Sequence, residues 1–176
     1  PLIECPLTWL EIFSHYSAVC MQGGYLLLKK TDAPFEQDFR RMASVACRIT
    51  DPIEIPESDQ VVAMQIDLEL NGLGKFFNLF YQVPPVFYMR IDYAGGATLS
   101  GRVIPENLAS PTLINYYPDD LGKAAMLLNA GKLPEVVKRI QFSGTSLRFY
   151  KRDVVVVFSE SKTAKPPRGP CVWRSE

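Results

Sequence analysis

One histidine and four scattered cysteines bound the chemistry available to this chain. His15 stands between Ser14 and Tyr16 with no serine or cysteine motif for it to activate, so a packing or surface role is its ordinary reading. Cys5, Cys20, Cys47 and Cys171 form no C-x-x-C pair, and a lone histidine cannot build a His-rich metal site, so no metal is expected. G-x-S-x-G, Walker and dinucleotide fingerprints are absent, and no cofactor is expected either. Gly72-x-Gly74 and Gly95-Gly96 read as turn residues rather than phosphate cradles. Asp67 and Glu69, about 7 Å apart if they share a strand face, could pair for acid–base work, but a solvated strand face explains them more simply.

The elements that would position these groups follow from apolar spacing. Trp9, Ile12, Phe13, Tyr16, Val19 and Cys20 recur every three or four residues behind Thr8, which predicts a helix over Leu7 to Cys20 closed by Gly23 and Gly24. Tyr25 to Lys30 suits a first strand. A second helix is expected from Asp32, with Phe35, Phe39, Met42, Ala46 and Ile49 on one stripe and Pro52 and Pro56 ending it. Val62, Met64, Ile66, Leu68 and Leu70 alternate with Gln65, Asp67 and Glu69, the pattern of a half-buried strand. Asn71-Gly72 then predicts a hairpin turn, Phe76 to Val83 the partner strand, and Phe87 to Tyr93 a third strand after Pro84 and Pro85. Beyond Ser100 the prolines blur the pattern. Asp119 is a cap for a short helix through Leu128, Gly131 and Pro134 precede another turn or two ending at Ile140, and Leu147–Tyr150 with Val154–Phe158 read as a closing hairpin. Val154–Phe158 would invite pairing at a sheet edge; a covered central strand is the competing reading.

The chain has 176 residues, 47% of them apolar, which is enough for one core. A single α+β domain over 1–160 and an extended proline-bearing, basic tail over 161–176 are expected, with Trp9, Phe39, Met64 and Ile91 in the interior. Nineteen Lys and Arg balance nineteen Asp and Glu, unlike a chain that holds many phosphates, so strong nonspecific nucleic-acid binding is not expected. No apolar run has the length of a spanning helix, and the first residues lack the basic start and apolar stretch of a signal peptide. Reduced thiols in a cytoplasmic compartment follow as the expectation.

One segment carries a resemblance. Tyr81-Gln82-Val83-Pro84-Pro85-Val86-Phe87-Tyr88-Met89-Arg90, followed by Asp92-Tyr93-Ala94-Gly95-Gly96-Ala97-Thr98-Leu99, resembles the E2-like conjugating enzymes of autophagy in its strand, Tyr-x-Val-Pro, aromatic strand, Gly and Leu order. It resembles ubiquitin E2 and RWD domains more loosely. The resemblance implies an α+β fold in which an antiparallel meander of about five strands packs helices on one face, and a ubiquitin-fold protein as partner. Those autophagy enzymes use a His-Pro-Cys nucleophile, which this chain lacks; Gly169-Pro170-Cys171 is the nearest echo and makes Cys171 the candidate, with no histidine beside it to lower its pKa.

The expected function is therefore a non-catalytic protein-interaction module, E2-like or RWD-like, that docks its partner through the aromatic and proline edge formed by Tyr81, Pro84, Pro85, Phe87 and Tyr88. An active conjugating enzyme using Cys171, or Cys47, is one alternative, although Cys47 sits where a packed thiol is the usual outcome. The other is a self-assembling structural protein, such as a viral matrix or scaffold subunit, whose edge strands tie copies into a homo-oligomer.

Overall fold

The computed structural model describes residues 6–32, 35, 38–80, 86–162 and 172–173. The described residues form three α-helices, α1 (Pro6–His15), α2 (Gly72–Phe80) and α3 (Leu121–Ala130). Eleven strands accompany them: β1 (Tyr16–Gln22), β2 (Tyr25–Lys30), β3 (Phe39–Arg48), β4 (Ile53–Glu54), β5 (Val62–Ile66), β6 (Phe87–Tyr93), β7 (Thr98–Val103), β8 (Thr112–Leu113), β9 (Val137–Ser143), β10 (Asp153–Ser161) and β11 (Val172–Trp173). They build three sheets in the orders β3-β10-β5-β8, β4-β9-β6-β7 and β11-β1-β2, antiparallel throughout except where β11 runs parallel to β1.

The two four-stranded sheets share one apolar interior. Val62, Met64 and Ile66 of β5 and Val154, Val156 and Phe158 of β10 meet Phe87, Met89 and Ile91 of β6 and Ile140 and Phe142 of β9 in a single cluster. The alternation read from Val62 to Leu70 holds only through Ile66, where β5 ends, so Leu68 and Leu70, with Asp67 and Glu69, lie beyond the strand. The opposite face is buried as well, because Val61 and Ala63 enter a second cluster with Phe13 of α1, Ala18 of β1 and Ala125, Leu127 and Leu128 of α3. Sheet β3-β10-β5-β8 is thus the middle layer at its β5 end, while β10 leaves Val155 52% exposed on its outer side.

Burying β5 on both sides leaves its backbone without water, and side-chain amides supply the missing partners. Val62 N–H donates to Asn115 Oδ1 at 2.8 Å, Asn115 Nδ2 donates to Gln60 O at 2.7 Å, and Val137 N–H of the facing sheet donates to Asn115 O at 2.8 Å. One residue, 1% exposed, therefore staples the two sheets. Asn129 of α3 does the same for β1, accepting from Ala18 N–H at 2.8 Å and donating to Ala18 O at 2.9 Å where a bulge interrupts the β1–β2 ladder.

Several expectations are corrected. The helix predicted over Leu7–Cys20 stops at His15, and Tyr16–Gln22 instead pairs with β2 across Gly23 and Gly24, whose φ angles of 57° and 76° fit a two-residue hairpin turn. Within the helix predicted from Asp32 to Ile49, Phe39–Arg48 is strand β3, held along its length by β10, a distant pairing that overrides local spacing, and residues 33–34 and 36–37 lie outside the described residues. Phe76–Phe80 of the expected partner strand belongs to helix α2, Gly72–Phe80, and residues 81–83 lie outside the described residues. The three-strand meander is absent: β5 and β6 belong to different sheets, and helices do not line one face of a five-stranded sheet. Leu147–Phe149 lies in a 3-10 turn and Tyr150 only bridges to Leu70, so β10 is no hairpin strand but an inner strand of its sheet, between β3 and β5. The turn expected to end at Ile140 is strand β9. Helix α3 forms where expected, but Asp120 and not Asp119 caps its start, because Asp120 accepts from Lys123 N–H while Asp119 is drawn to the Lys123 ammonium; Gly131 ends it at φ 74°. Ser161 closes β10, and Val172–Trp173 pairs with Cys20 and Met21, so strand contacts fall within the stretch read as a tail.

Replacing Asn115 with Ala orphans the Val62 N–H and the Gln60 carbonyl in a dry interior, which should cost about 2–4 kcal/mol. Urea unfolding followed by circular dichroism should show the midpoint falling while the m-value holds.

Candidate functional site

Helix α2 inverts the usual rule for surface helices. Asn71 starts it: the Asn71 carbonyl accepts from Lys75 N–H at 2.9 Å and its Oδ1 from Gly74 N–H at 2.9 Å, an N-cap where the Asn-Gly pair suggested a turn. The Asn71 amide also donates to Arg148 O at 2.7 Å and Tyr150 O at 2.9 Å, fixing the helix start against the 3-10 turn Thr145–Phe149. At 100° per residue, Leu73, Phe76, Phe77, Leu79 and Phe80 cover an arc of roughly 160° centred between Phe76 and Phe80, and Gly74 stands about 140° round from that centre. It is Gly74 that faces the body. A Cβ there would stand 2.1 Å from Phe149 O, so only glycine lets the helix sit this close.

The apolar arc consequently faces outward. Leu79, Phe80 and Phe76 are 76%, 65% and 61% exposed, while Phe77 turns partly inward and packs on Phe149 with ring centroids 5.1 Å apart. Phe76 and Phe80 stack on each other at 5.1 Å, one turn apart. Basic groups border the arc. Lys75 is exposed on the helix itself, and the Arg148 guanidinium lies 4.9 Å from the Phe149 ring on the Phe77 side. Beneath the helix, Lys151 pairs with Glu69 and lowers the Glu69 pKa, mainly through their hydrogen bond.

The residues expected at the interaction edge divide. Tyr88 is 51% exposed on β6. Phe87 is instead a core residue, wholly buried between Phe142 and Tyr150 in edge-to-face contacts at 5.5 and 5.8 Å, because the inward face of β6 alternates with its outward one. Tyr81, Pro84, Pro85 and the candidate nucleophile Cys171 lie outside the described residues. Val154, Val156 and Phe158 are interior, as are Tyr116 and Tyr117, while Val155 is exposed. Sequence reasoning missed α2, although Leu73, Phe76, Phe77 and Phe80 stand at i, i+3, i+4 and i+7 behind an Asn cap.

Elsewhere the titratable groups are structural. The Cys47 thiol is pushed up by burial and by the Asp51 carboxylate, away from the thiolate a nucleophile needs. His15 caps its own helix, with Nδ1 3.1 Å from Glu11 Oε2. Lys123 bridges Asp119 and Glu135, and the Tyr93 hydroxyl, held up to about 12 by burial first and Asp119 next, donates to Tyr117 O. Asp92 accepts from Arg139 and Arg90 on the outer face of β6 and β9, and these bonds, Arg139 first, hold its carboxyl low. An open groove of about 830 Å³ runs between residues 54–59 and the starts of β9, with Glu54, Glu57 and Asp59 on its lip. Among the described residues no three His, Cys, Asp or Glu side chains gather to hold a metal, and no helix is long and apolar enough to cross a membrane.

Two outcomes follow. Gly74→Ala should lift α2 from Phe149 at a cost of about 1–3 kcal/mol, read as a lower thermal midpoint and faster amide exchange over residues 72–80. Because the Asp92 pKa is depressed in the folded state, its contribution is present above the ordinary carboxylate pKa and is lost as pH falls through the folded value. Asp92→Asn should therefore flatten the acid limb of the stability profile below pH ~4 and leave the profile near neutral pH parallel to the parent's. No family model, no curated protein and no solved structure matches this chain.

Proposed function

We propose that the protein is a non-catalytic interaction module and that helix α2 is its contact element. The observation that carries this reading is the orientation of α2, with Gly74 pressed on Phe149 O and Leu79, Phe80 and Phe76 turned to solvent. Five large apolar side chains on one exposed face amount to about 600 Å² at roughly 200 Å² apiece and their fractional exposures, the upper end of what a monomer shows as its largest patch. Such a face lowers solubility and adds little to the core, so its retention is explained by a contact made there. Tyr88 lies on the outward face of β6, an inner strand of its sheet, and is the one described aromatic of the expected edge that is exposed.

The raised Cys47 thiol pKa and the pairing of Lys123, Asp92 and Glu69 in ion pairs support a surface role over a catalytic one. The E2-like character belongs to this proposal only as a likeness of the segment that ends in β6 and β7. A self-assembling structural subunit is the second reading, favoured by β3: ten residues long, it pairs with β10 alone among the described strands and offers a free edge.

A double variant, Leu79→Ser with Phe80→Ser, separates contact from stability. Its thermal midpoint should stay within about 3 °C of the parent, since little buried area is lost, while retention on a phenyl matrix drops. A fall of 10 °C or more would mean that the face is packed in the monomer and would overturn the reading. So would a reductant-sensitive adduct between the chain and an activated ubiquitin-like protein. Assemblies that persist in the double variant would favour the β3 edge.

A further inference from the structure

We infer that α2 is an interfacial anchor that docks on an anionic lipid surface, lying in the plane of the headgroups with Phe76, Leu79 and Phe80 deepest. The inference rests on the reading of α2 as the contact element and names its occupant. Two features of the site select a lipid interface over a second copy of the chain.

The first is charge. The helix carries no acidic residue, and its apolar arc is bordered by Lys75 on one flank and Arg148 on the other, both exposed. Around them the local balance is positive, with Glu69 already paired to Lys151, although the whole chain is neutral. In a two-fold pair built on α2, the basic groups of each copy would be pressed against basic groups of the other, and the carboxylate nearest Lys75, Glu69, is already engaged by Lys151. A layer of anionic headgroups complements both flanks at once, and each basic group near such a surface strengthens binding by roughly fivefold.

The second is area and shape. The exposed arc offers about 600 Å² at most, below the ~800 Å² per partner of a standard protein interface even if every part were covered. It is also convex. A nine-residue helix projecting three aromatic rings and two leucines presents no pocket for a partner's anchors, but an acyl boundary accepts convex apolar shapes. The depth fits as well: the outward half of one helix reaches about 5–10 Å, the depth at which amphipathic helices lie in the headgroup region. The close Gly74 contact holds α2 flat against the body, so the body would rest on the membrane rather than stand away from it.

The test is co-sedimentation of the full chain with sucrose-loaded vesicles of phosphatidylcholine containing 30% phosphatidylserine, beside vesicles of phosphatidylcholine alone. The parent should partition to the anionic vesicles, more weakly at 500 mM salt and at least tenfold more weakly to the neutral ones. Phe76→Ser with Phe80→Ser should lose binding at least tenfold, and Lys75→Glu several-fold, with unchanged thermal midpoints. A Phe80→Trp variant, compared with the parent to subtract Trp9 and Trp173, should gain emission that brominated lipids quench. A parent that stays in the supernatant, or binding that the double variant retains, overturns the lipid assignment. If the parent is then a dimer by sedimentation equilibrium and the double variant a monomer, α2 is still a contact element and its occupant is a second copy. If the double variant instead unfolds far earlier than the parent, the contact reading fails with it.

Discussion

The molecule depends on the double burial of β5. A strand with apolar contacts on both faces has no route to water for its backbone at the points where the ladder ends, and Asn115 resolves that conflict at the Val62 end. Its side chain completes the β5 backbone while its own carbonyl receives Val137 N–H from the opposite sheet, so the spacing of the two sheets is set by one residue's length. Phe158, Met64 and Ile66 can then interdigitate with Phe87, Ile91 and Phe142 only at that separation. The helical layer follows from the other face of the same strand, where Val61 and Ala63 are small enough to let α1 and α3 approach. Asn129 repeats the device one layer out, where the β1 ladder shifts register.

How far the sequence discloses this varies with the range of the forces involved. Strand β2, the alternation of Val62, Met64 and Ile66, strand β6 and the Gly131 end of α3 are all legible, because each is decided by residues within a few positions of one another. Strand β3 is not. Phe35, Phe39, Met42, Ala46 and Ile49 satisfy a helical period, and only the ladder from Asp153 to Ser161, far downstream, makes the extended form the stable one. Tyr16 and Cys20 continue the α1 stripe in the same deceptive way until the Gly23-Gly24 hairpin claims them. Asn71-Gly72 is ambiguous for a different reason: the pair serves a tight turn or a helix cap equally well, and the choice falls to the Arg148 and Tyr150 carbonyls that the Asn71 amide finds.

The site was harder to read than the fold because sequence patterns report which residues are apolar and not which way a helix is turned. The spacing of Leu73, Phe76, Phe77 and Phe80 would ordinarily be taken for a core stripe. What reverses it is Gly74, whose missing side chain makes the opposite side of the helix the closest-fitting one. Phe87 shows the converse error, an aromatic that looks like a surface anchor beside two prolines and is in fact held between two other rings.

The Asn71 anchorage also sets how α2 would transmit force. Residues 69–71 run alongside 149–151, through Asn71 N–H to Phe149 O, the Leu70–Tyr150 bridge and Lys151 N–H to Glu69 O, and the second of these segments leads directly into β10. A pull on α2 is therefore delivered in shear along hydrogen bonds continuous with an inner strand of the sheet, the loading geometry that backbone ladders resist best, rather than being dissipated in a loop. Whatever α2 grips, the body is hauled by its most rigid member.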